Sequence, residues 1–259
     1  MSLYRVGYVQ SDPKLFAVEA NLKACLAMMD AAEAELWVLP ELAASGYAFK
    51  TKQELAGVAE PADGPTARRL KDYAKKRGCA VVIGLPEKAG GRFYNSSLLV
   101  TATKTTVYRK VHLFDAEKKF FAPGDLGFPV ADAGGVKVGM MVCFDWFFPE
   151  ACRTLALAGA QIIAHPANLV MPWGPEAMRT RSLENRVYSV TADRVGTERG
   201  LKFIGCSQIL GTKGQVMAQS SATAVEAKVV GILPKLALDK KLTAANDLFA
   251  DRRPAAYAL

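Results

Sequence analysis

The stretch from Val136 to Glu150 constrains the fold of this chain most strongly, because an apolar run typical of a buried strand leads to a cysteine and then to a helix. In α/β proteins, the carboxyl end of a buried strand is where chemistry is commonly placed. Pro149 suits the first turn of a helix, and Gly159 suits its end. The pattern therefore predicts a strand, a turn that carries Cys143, and a helix.

The turn makes Cys143 a candidate nucleophile. A thiol at a strand-to-helix turn faces backbone N–H groups, which lower the thiol pKa and can bind a developing oxyanion. Most free cysteines, however, are small buried hydrophobic residues. This stretch alone leaves both interpretations open, and catalytic partners elsewhere in the chain are needed to decide between them.

Composition and charge limit the classes of protein to consider. The chain has 259 residues, of which 51% are hydrophobic and 22% charged, as in ordinary globular proteins. Its length suits one α/β domain and no linker divides it, so we expect a single domain over residues 1–259. The formal net charge is +8, but the densest basic cluster, at 68–77, has helical spacing and no nucleic-acid-binding motif. We therefore expect no nucleic-acid partner.

Five cysteines, an odd number, are widely spaced and form no C-x-x-C pair. This pattern predicts reduced thiols and a cytoplasmic protein. There are two histidines and no metal-ligand spacing, so we expect neither a metal nor a cofactor. The first residues lack the pattern of a signal peptide, and no apolar run is long enough to span a bilayer, so we expect no membrane partner.

Two other apolar strands also end in a residue with catalytic potential. The strand Leu36–Leu39 leads to Glu41, and the strand Thr106–Arg109 leads to Lys110. A glutamate in such a place is more commonly a surface acid. If the strand ends meet, Glu41 could act as a base toward Cys143 and then as an acid, while a lysine would stabilise the oxyanion. Together these residues would describe covalent hydrolysis of a C–N bond through a thioester.

Strands and helices alternate early and strands predominate late, which predicts an α/β fold. Other predicted helices lie at 14–34, 66–77 and 236–249, and a further predicted helix contains Met178, Leu183 and Val187. Other predicted strands lie at 3–10, 79–85, 95–101, 161–164, 188–192, 203–210 and 225–233.

Three local motifs resemble those of the nitrilase superfamily of carbon–nitrogen hydrolases. Residues 40–47 (PELAASGY) resemble its glutamate motif, residues 108–117 (YRKVHLFDAE) its lysine motif, and residues 141–150 (MVCFDWFFPE) its cysteine motif. Supporting matches lie at 94–96, 121–125, 183–186 and 251–254. Three motifs in this order are far more specific than any one of them alone.

The resemblance implies a four-layer α-β-β-α sandwich, assembled as a homodimer or larger oligomer through the helices that follow the cysteine. It implies that Glu41 is the general base, Lys110 the oxyanion stabiliser and Cys143 the nucleophile. Glu117 matches a second glutamate of the family that helps to place the substrate. The backbone N–H of Phe144 is expected to be the other oxyanion donor.

The residues near Cys143 carry the available information on the substrate. The aromatic run that contains Trp146 favours an amidase with a small, uncharged acyl group, although these rings could equally pack the core. Asn168 and Trp173 follow the next strand end and could line the pocket, or Asn168 could bind loop backbone. The predicted substrate contacts are thus Phe144, Trp146, Asn168 and Trp173.

The expected reaction is hydrolysis of a small aliphatic amide to a carboxylic acid and ammonia. Two alternatives remain open at this point. One is a nitrilase that acts on small aliphatic nitriles or dinitriles, and the other is an amidohydrolase that acts on N-carbamoyl compounds.

Overall fold

The computed structural model describes residues 3–257, and two six-stranded sheets form its centre. The strands are β1 Tyr4–Gln10, β2 Leu36–Val38, β3 Ala80–Ala89, β4 Arg92–Val100, β5 Thr105–Arg109, β6 Val130–Asp132, β7 Lys137–Met140, β8 Ile162–Pro166, β9 Tyr188–Ala192, β10 Thr197–Glu198, β11 Leu201–Lys202, β12 Gln208–Leu210, β13 Val216–Gln219 and β14 Glu226–Ile232.

Five α-helices accompany the sheets: α1 Val18–Asp30, α2 Lys52–Ala56, α3 Pro65–Arg77, α4 Pro149–Leu157 and α5 Gly174–Asn185. Short 3-10 helices lie at Asp115–Lys119, Cys143–Phe147, Pro234–Ala237 and Pro254–Ala256. Within residues 3–257, no helix has both the length and the apolar character needed to cross a membrane.

The two sheets share one plan. The first has the order β14-β1-β2-β3-β4-β5 and the second the order β13-β12-β9-β8-β7-β6. Strands β1, β2 and β3 are mutually parallel, as are β7, β8 and β9, and the flanking strands are antiparallel. Parallel strands end at the same edge of a sheet. Residues that follow β2 therefore lie at one edge of the first sheet, and residues that follow β7 and β8 lie together at one edge of the second.

The sheets pack face to face with helices on both outer sides, which confirms the predicted four-layer α-β-β-α sandwich. Val6 and Val38 of the first sheet share one buried core with Val138 of the second. On the outer face of the first sheet, Leu22 of α1 and Leu70 of α3 lie in a separate core. Helices α4 and α5 pack on the second sheet.

Several predicted boundaries differ from the structure. Strand β7 ends at Met140, so Cys143 lies beyond the strand, at the start of a 3-10 helix. Helix α1 begins at Val18, later than predicted, and the predicted strand at 203–210 is formed only over its last part, as β12. The predicted strand at 79–85 is longer and pairs with β4 as a hairpin.

The predicted helix at 236–249 is wrong. Only its first residues belong to a 3-10 helix, and turns follow. The hydroxyl of Thr243 accepts hydrogen bonds from the N–H groups of Ala245 and Asn246, and the carboxylate of Asp247 accepts those of Phe249 and Ala250. Such local side-chain bonds compete with helical hydrogen bonding, which explains the irregular path.

Candidate active site

A buried charge cluster forms where three strand ends approach one another. The ammonium of Lys110 donates hydrogen bonds to Glu41 Oε1 at 2.7 Å and to Glu117 Oε1 at 2.8 Å. Asn95 Nδ2 donates a third hydrogen bond, to Glu41 Oε1, at 2.7 Å. All four side chains are buried. The structure therefore brings together three of the four residues predicted to be catalytic.

Cys143 belongs to the same cluster. The charges of Glu41, Lys110 and Glu117 all act on the pKa of its thiol, and the nearby backbone of Asn168 acts on it in the lowering direction. The side chain of Asn168 also donates a hydrogen bond from Nδ2 to the backbone oxygen of Glu41 at 2.9 Å. Asn168 thus links the segment that carries the thiol to the segment that carries the glutamate.

The electrostatics of the cluster differ from the expectation for a turn cysteine. Burial raises the pKa of Cys143 well above its usual range, the carboxylate of Glu41 raises it further, and Lys110 offsets only part of this rise. A hydrogen bond from the Asn168 backbone does lower this pKa, as predicted for a turn cysteine, but desolvation of the thiolate and the neighbouring carboxylates outweigh it, so the net shift is upward. The resting thiol carries its proton and needs a base.

Glu41 has the properties of such a base. Burial raises its pKa, Lys110 lowers it and the second carboxylate, Glu117, raises it again, with a net rise. One ammonium is shared between two carboxylates, so one carboxyl takes up a proton readily. For Lys110, burial lowers the pKa, but Glu117 and Glu41 outweigh burial and raise it, so the ammonium keeps its charge.

The backbone at Cys143 has an uncommon conformation. Its φ angle is 42°, in the left-handed region that residues with a Cβ seldom occupy. His165 Nε2 lies 2.9 Å from the carbonyl oxygen of Cys143, and His165 Nδ1 lies 3.0 Å from the Thr191 hydroxyl. Burial lowers the pKa of His165 to about 4, so the ring is neutral, Nε2–H donates to the carbonyl and Nδ1 accepts from the hydroxyl. His165 thereby holds the nucleophile in its strained conformation.

Asp145 fixes the same turn from the other side. Its carboxylate accepts hydrogen bonds from the Val142 N–H at 2.8 Å and from the Tyr108 hydroxyl at 2.6 Å. It also accepts one from the His112 N–H at 3.2 Å and lies 2.7 Å from His112 Nδ1. Because Tyr108 and His112 flank Lys110 in sequence, Asp145 ties the lysine segment to the cysteine turn. Tyr108, His112 and Asp145 lie within the three motifs, but no sequence pattern predicted that they position the nucleophile.

A close backbone approach positions Glu41. Gly84 of β3 donates its N–H to the Pro40 oxygen, and its own oxygen accepts the Ala43 N–H. A Cβ at position 84 would lie 2.5 Å from Glu41 Cα and 2.7 Å from the Leu42 nitrogen. Only glycine leaves room for the glutamate segment to cross the strand at this distance.

Replacing Gly84 with alanine is therefore expected to displace Glu41 and lower both activity and stability. The expected loss in the free energy of unfolding is about 1–3 kcal/mol, typical of an overpacked core. Urea denaturation and kcat measurements check this. Gly57→Ala is the matched control, since its Cβ would meet atoms only at 3.5 Å and beyond. A Gly84→Ala protein as stable and active as the Gly57→Ala protein contradicts the argument.

Tyr47 extends the cluster toward the surface. Its hydroxyl donates to Glu117 Oε1 at 2.7 Å, the same oxygen that binds Lys110. Its backbone N–H donates to the Glu198 carboxylate at 2.8 Å, and Glu198 is paired with the buried Arg194 at 2.9 Å. This ion pair holds the Tyr47 segment in place. The tyrosine ends the glutamate motif, but no sequence pattern indicated that it would bind Glu117.

The four predicted substrate contacts lie in different surroundings. Asn168 is buried beside Cys143, and Phe144 is half-buried with its ring 5.1 Å from that of Phe114. Trp146 is only 4% exposed and belongs to the core. This agrees with the alternative stated above, that the aromatic rings after Cys143 pack the core. Trp173 is 60% exposed at the start of α5. A cavity lined by Tyr47, Phe114 and Glu117 lies beside the cluster, and neither tryptophan lines it.

The described residues, 3–257, contain no group of three or more histidine, cysteine or acidic side chains arranged to hold a metal ion. The chemistry available to the site is that of a buried thiol, a carboxyl group of raised pKa and a fixed ammonium. Such a set can carry out nucleophilic attack on an acyl or cyano carbon, with proton transfer and oxyanion stabilisation in one cluster.

Comparison with known proteins agrees with this geometry. The family model of the carbon–nitrogen hydrolases matches residues 5–232. The chain is 48% identical over 260 residues to a nitrilase from Pyrococcus abyssi, with 98% of this chain and 99% of the relative covered. It is 37% identical over 230 residues to an (R)-stereoselective amidase from Pseudomonas sp., with 86% and 81% covered.

A solved structure has the same fold. The crystal structure of an amidase from Nesterenkonia sp. aligns with a TM-score of 0.82 at 28% identity and covers 98% of this chain and 95% of its own. The family match, these relatives and the shared fold confirm the resemblance carried by the three motifs. The chain belongs to the carbon–nitrogen hydrolase family, within the nitrilase superfamily.

Proposed function

We propose that the protein hydrolyses small uncharged amides to a carboxylic acid and ammonia through a thioester on Cys143. The observation that carries this proposal is the buried cluster of Cys143, Glu41 and Lys110, in which a protonated thiol lies with a carboxyl group of raised pKa and a permanently charged ammonium. These are the nucleophile, base and oxyanion donor that acyl transfer needs.

In the acylation half of the reaction, Glu41 takes the proton of the Cys143 thiol as the sulfur bonds to the amide carbon. The carbonyl oxygen becomes an oxyanion, which receives hydrogen bonds from Lys110 and from the Phe144 N–H. Phe144 lies in the first turn of a 3-10 helix, where N–H groups have no intrahelical partner. The C–N bond then breaks, and Glu41 returns its proton to the nitrogen so that ammonia leaves.

In the deacylation half, Glu41 takes a proton from water, whose oxygen attacks the thioester carbon. The second oxyanion is held by the same donors. Its collapse breaks the C–S bond, releases the carboxylic acid and returns a proton to the Cys143 sulfur. Glu117 positions Lys110 in both halves through the 2.8 Å hydrogen bond.

Unpaired acceptors favour an amide over a nitrile. In and beside the charge cluster, three buried side-chain oxygens have no hydrogen-bond partner among the described residues: Glu41 Oε2, Asn95 Oδ1 and Asn168 Oδ1. The side chain of Asn168 makes a hydrogen bond to the backbone carbonyl oxygen of Glu41. Only Nδ2 can donate this bond, which fixes the orientation of the amide and leaves Oδ1 as the unpaired atom. An amide substrate carries two N–H donors on its nitrogen, whereas a nitrile carries none. Buried acceptors strongly favour a ligand that pairs with them.

Nitrile hydrolysis is the second candidate, because the relative from Pyrococcus abyssi that is 48% identical to this chain is a nitrilase. The same thiol would add to a cyano carbon, and the same lysine and glutamate would serve the later steps.

A panel of aliphatic amides, N-carbamoyl compounds and nitriles separates the candidates. We expect ammonia release from the amides, with a kcat/KM at least about tenfold above that for the nitriles. The Cys143→Ala protein is the blank, and circular dichroism confirms its fold. Nitrile turnover above amide turnover reverses the choice between the two, and no turnover of either class contradicts a hydrolase function.

Self-association and compartment are further proposals. Exposed apolar side chains on α4 and α5, Leu157 and Leu183, support a homodimer or larger oligomer packed through these helices, which sedimentation equilibrium tests. All five cysteines are free thiols, which supports a cytoplasmic, reducing compartment, tested by localising a fluorescent fusion.

A further inference from the structure

A cavity of about 190 Å³ opens beside the charge cluster. Glu117 and Tyr47 line it, and Glu117 Oε1 lies 2.8 Å from Lys110 Nζ, so the cavity meets the reacting groups at this point. Phe114 also lines it and lies 5.1 Å, ring to ring, from Phe144, which follows the nucleophile. Glu117 and Tyr47 thus belong both to the cavity wall and to the charge cluster, which places the cavity directly beside the site.

Apolar side chains form most of the cavity wall. They come from the segment after Glu41, the segment after Lys110, the segment after β8, and β11, and include Phe49, Phe114, Phe120, Phe121, Val170 and Leu201. Aromatic and aliphatic walls bind apolar groups by burial and by edge and face contacts with rings.

No charged group that lines the cavity is both buried and free to pair with a charged substrate. Arg199 is held by both oxygens of Glu54, at 2.7 and 2.9 Å. Glu117 is committed to Lys110 and Tyr47 within the cluster. Lys50 and Asp115 are exposed to solvent. A carboxylate or ammonium on the substrate would lose its hydration here without gaining a buried partner, which is costly.

The volume sets an upper size for the occupant. An apolar cavity of about 150 Å³ in a protein interior accommodates a benzene molecule. The cavity beside Glu117, at about 190 Å³, thus has room for an acyl group up to the size of a phenyl ring.

We propose that this cavity is the acyl-group site and that it selects uncharged, apolar acyl groups up to ring size, excluding those with a distal carboxylate or ammonium. The inference rests on the proposed function. It assigns substrate selection to the Phe49, Phe114, Phe120 and Phe121 wall rather than to Trp146 and Trp173.

Three amides of matched length test the selection by charge: hexanamide, adipic acid monoamide and 6-aminohexanamide, each also offered as the nitrile. Phenylacetamide tests the size. We expect kcat/KM for hexanamide and phenylacetamide to exceed that for both charged amides by about tenfold or more. If hexanamide and the charged amides are hydrolysed at rates within a factor of about two, selection by charge is overturned while the hydrolase function stands. If no compound releases ammonia, both proposals fail.

A variant tests the cavity itself. Val170→Lys places an ammonium in the wall, and we expect the ratio of kcat/KM for adipic acid monoamide to that for hexanamide to rise about tenfold or more. Val225→Lys is the matched control, because Val225 is exposed and lies outside the cavity. An unchanged ratio in Val170→Lys, with both amides still hydrolysed, overturns the placement of the acyl group. If the variant does not fold, the comparison of amides with the unaltered protein still decides.

Discussion

Replacing Glu41 with glutamine is expected to lower kcat for amide hydrolysis by about 10²–10⁴-fold, the usual contribution of general acid–base catalysis. Glutamine retains an oxygen that can accept the hydrogen bonds of Lys110 and Asn95, both at 2.7 Å, so the cluster can keep its geometry. What is lost is the group that takes the proton of a thiol whose pKa is raised well above its usual range.

The pH profile gives this prediction a specific signature. As pH falls through the raised pKa of Glu41, the carboxylate becomes protonated and can no longer accept the thiol proton, so kcat/KM declines. The midpoint of this acid limb is expected above 4.5, the ordinary value for glutamate. In the Glu41→Gln protein the limb should vanish from the residual activity, which stopped ammonia assays across the pH range measure.

Glu87→Gln is the matched control, since Glu87 is also buried and hydrogen-bonded, to Ser96 at 2.6 Å and to Arg109 at 2.6 Å, but lies outside the cluster. This protein is expected to keep the acid limb and most of kcat. A Glu41→Gln protein with an acid limb at the same pH as the unaltered protein shows that another group is the base.

Replacing Lys110 with methionine is expected to have effects on both rate and stability. Loss of a charged oxyanion donor typically lowers kcat by about 10²–10³-fold. The variant also leaves the carboxylates of Glu41 and Glu117 buried without their shared ammonium. Breaking a buried pair in this way typically lowers the free energy of unfolding by about 3–5 kcal/mol.

The stability loss is expected to depend on pH. Without Lys110, the ammonium no longer lowers the pKa of Glu41, which rises further in the folded state above that of the unfolded chain, so the folded state binds more protons. Stability then falls as pH rises, and the deficit should be larger at about pH 8 than at about pH 5. Urea denaturation at both pH values measures it.

Lys88→Met, on the exposed end of β3, serves as the control for removing one positive charge. A Lys110→Met protein whose stability deficit is the same at both pH values argues against two carboxylates that share one ammonium.

The sequence carried the fold class and the convergence of the site. Glu41, Lys110 and Cys143 each follow an apolar strand. The shared edge of the parallel strands β7 and β8 brings Cys143 close to Asn168, and the packing of the two sheets brings Glu41 to the same place. Strand periodicity is a local property, and it predicted most strands to within a few residues. The convergence of distant strand ends depends on topology, and it was implied only by the resemblance of the three motifs to those of the nitrilase superfamily.

Other features depend on contacts that no local pattern carries. The raised pKa of Cys143 results from burial and from carboxylates distant in sequence, whereas the turn alone suggests a lowered one. The positive φ of Cys143 is maintained by His165 and Asp145. The aromatic run after Cys143 indicated an apolar acyl site, but Trp146 packs into the core. Periodic apolar residues also predicted a helix in the tail, where Thr243 and Asp247 bind the backbone instead.

The central claim is that Cys143 forms a covalent acyl intermediate, and mass spectrometry of acid-quenched protein during amide turnover tests it most directly. The account predicts an added mass equal to the acyl group less one hydrogen, on the peptide that contains Cys143. It also predicts neither adduct nor ammonia from the folded Cys143→Ala protein. Ammonia release by Cys143→Ala at a rate near that of the unaltered protein, or an acyl group on a different residue, contradicts it.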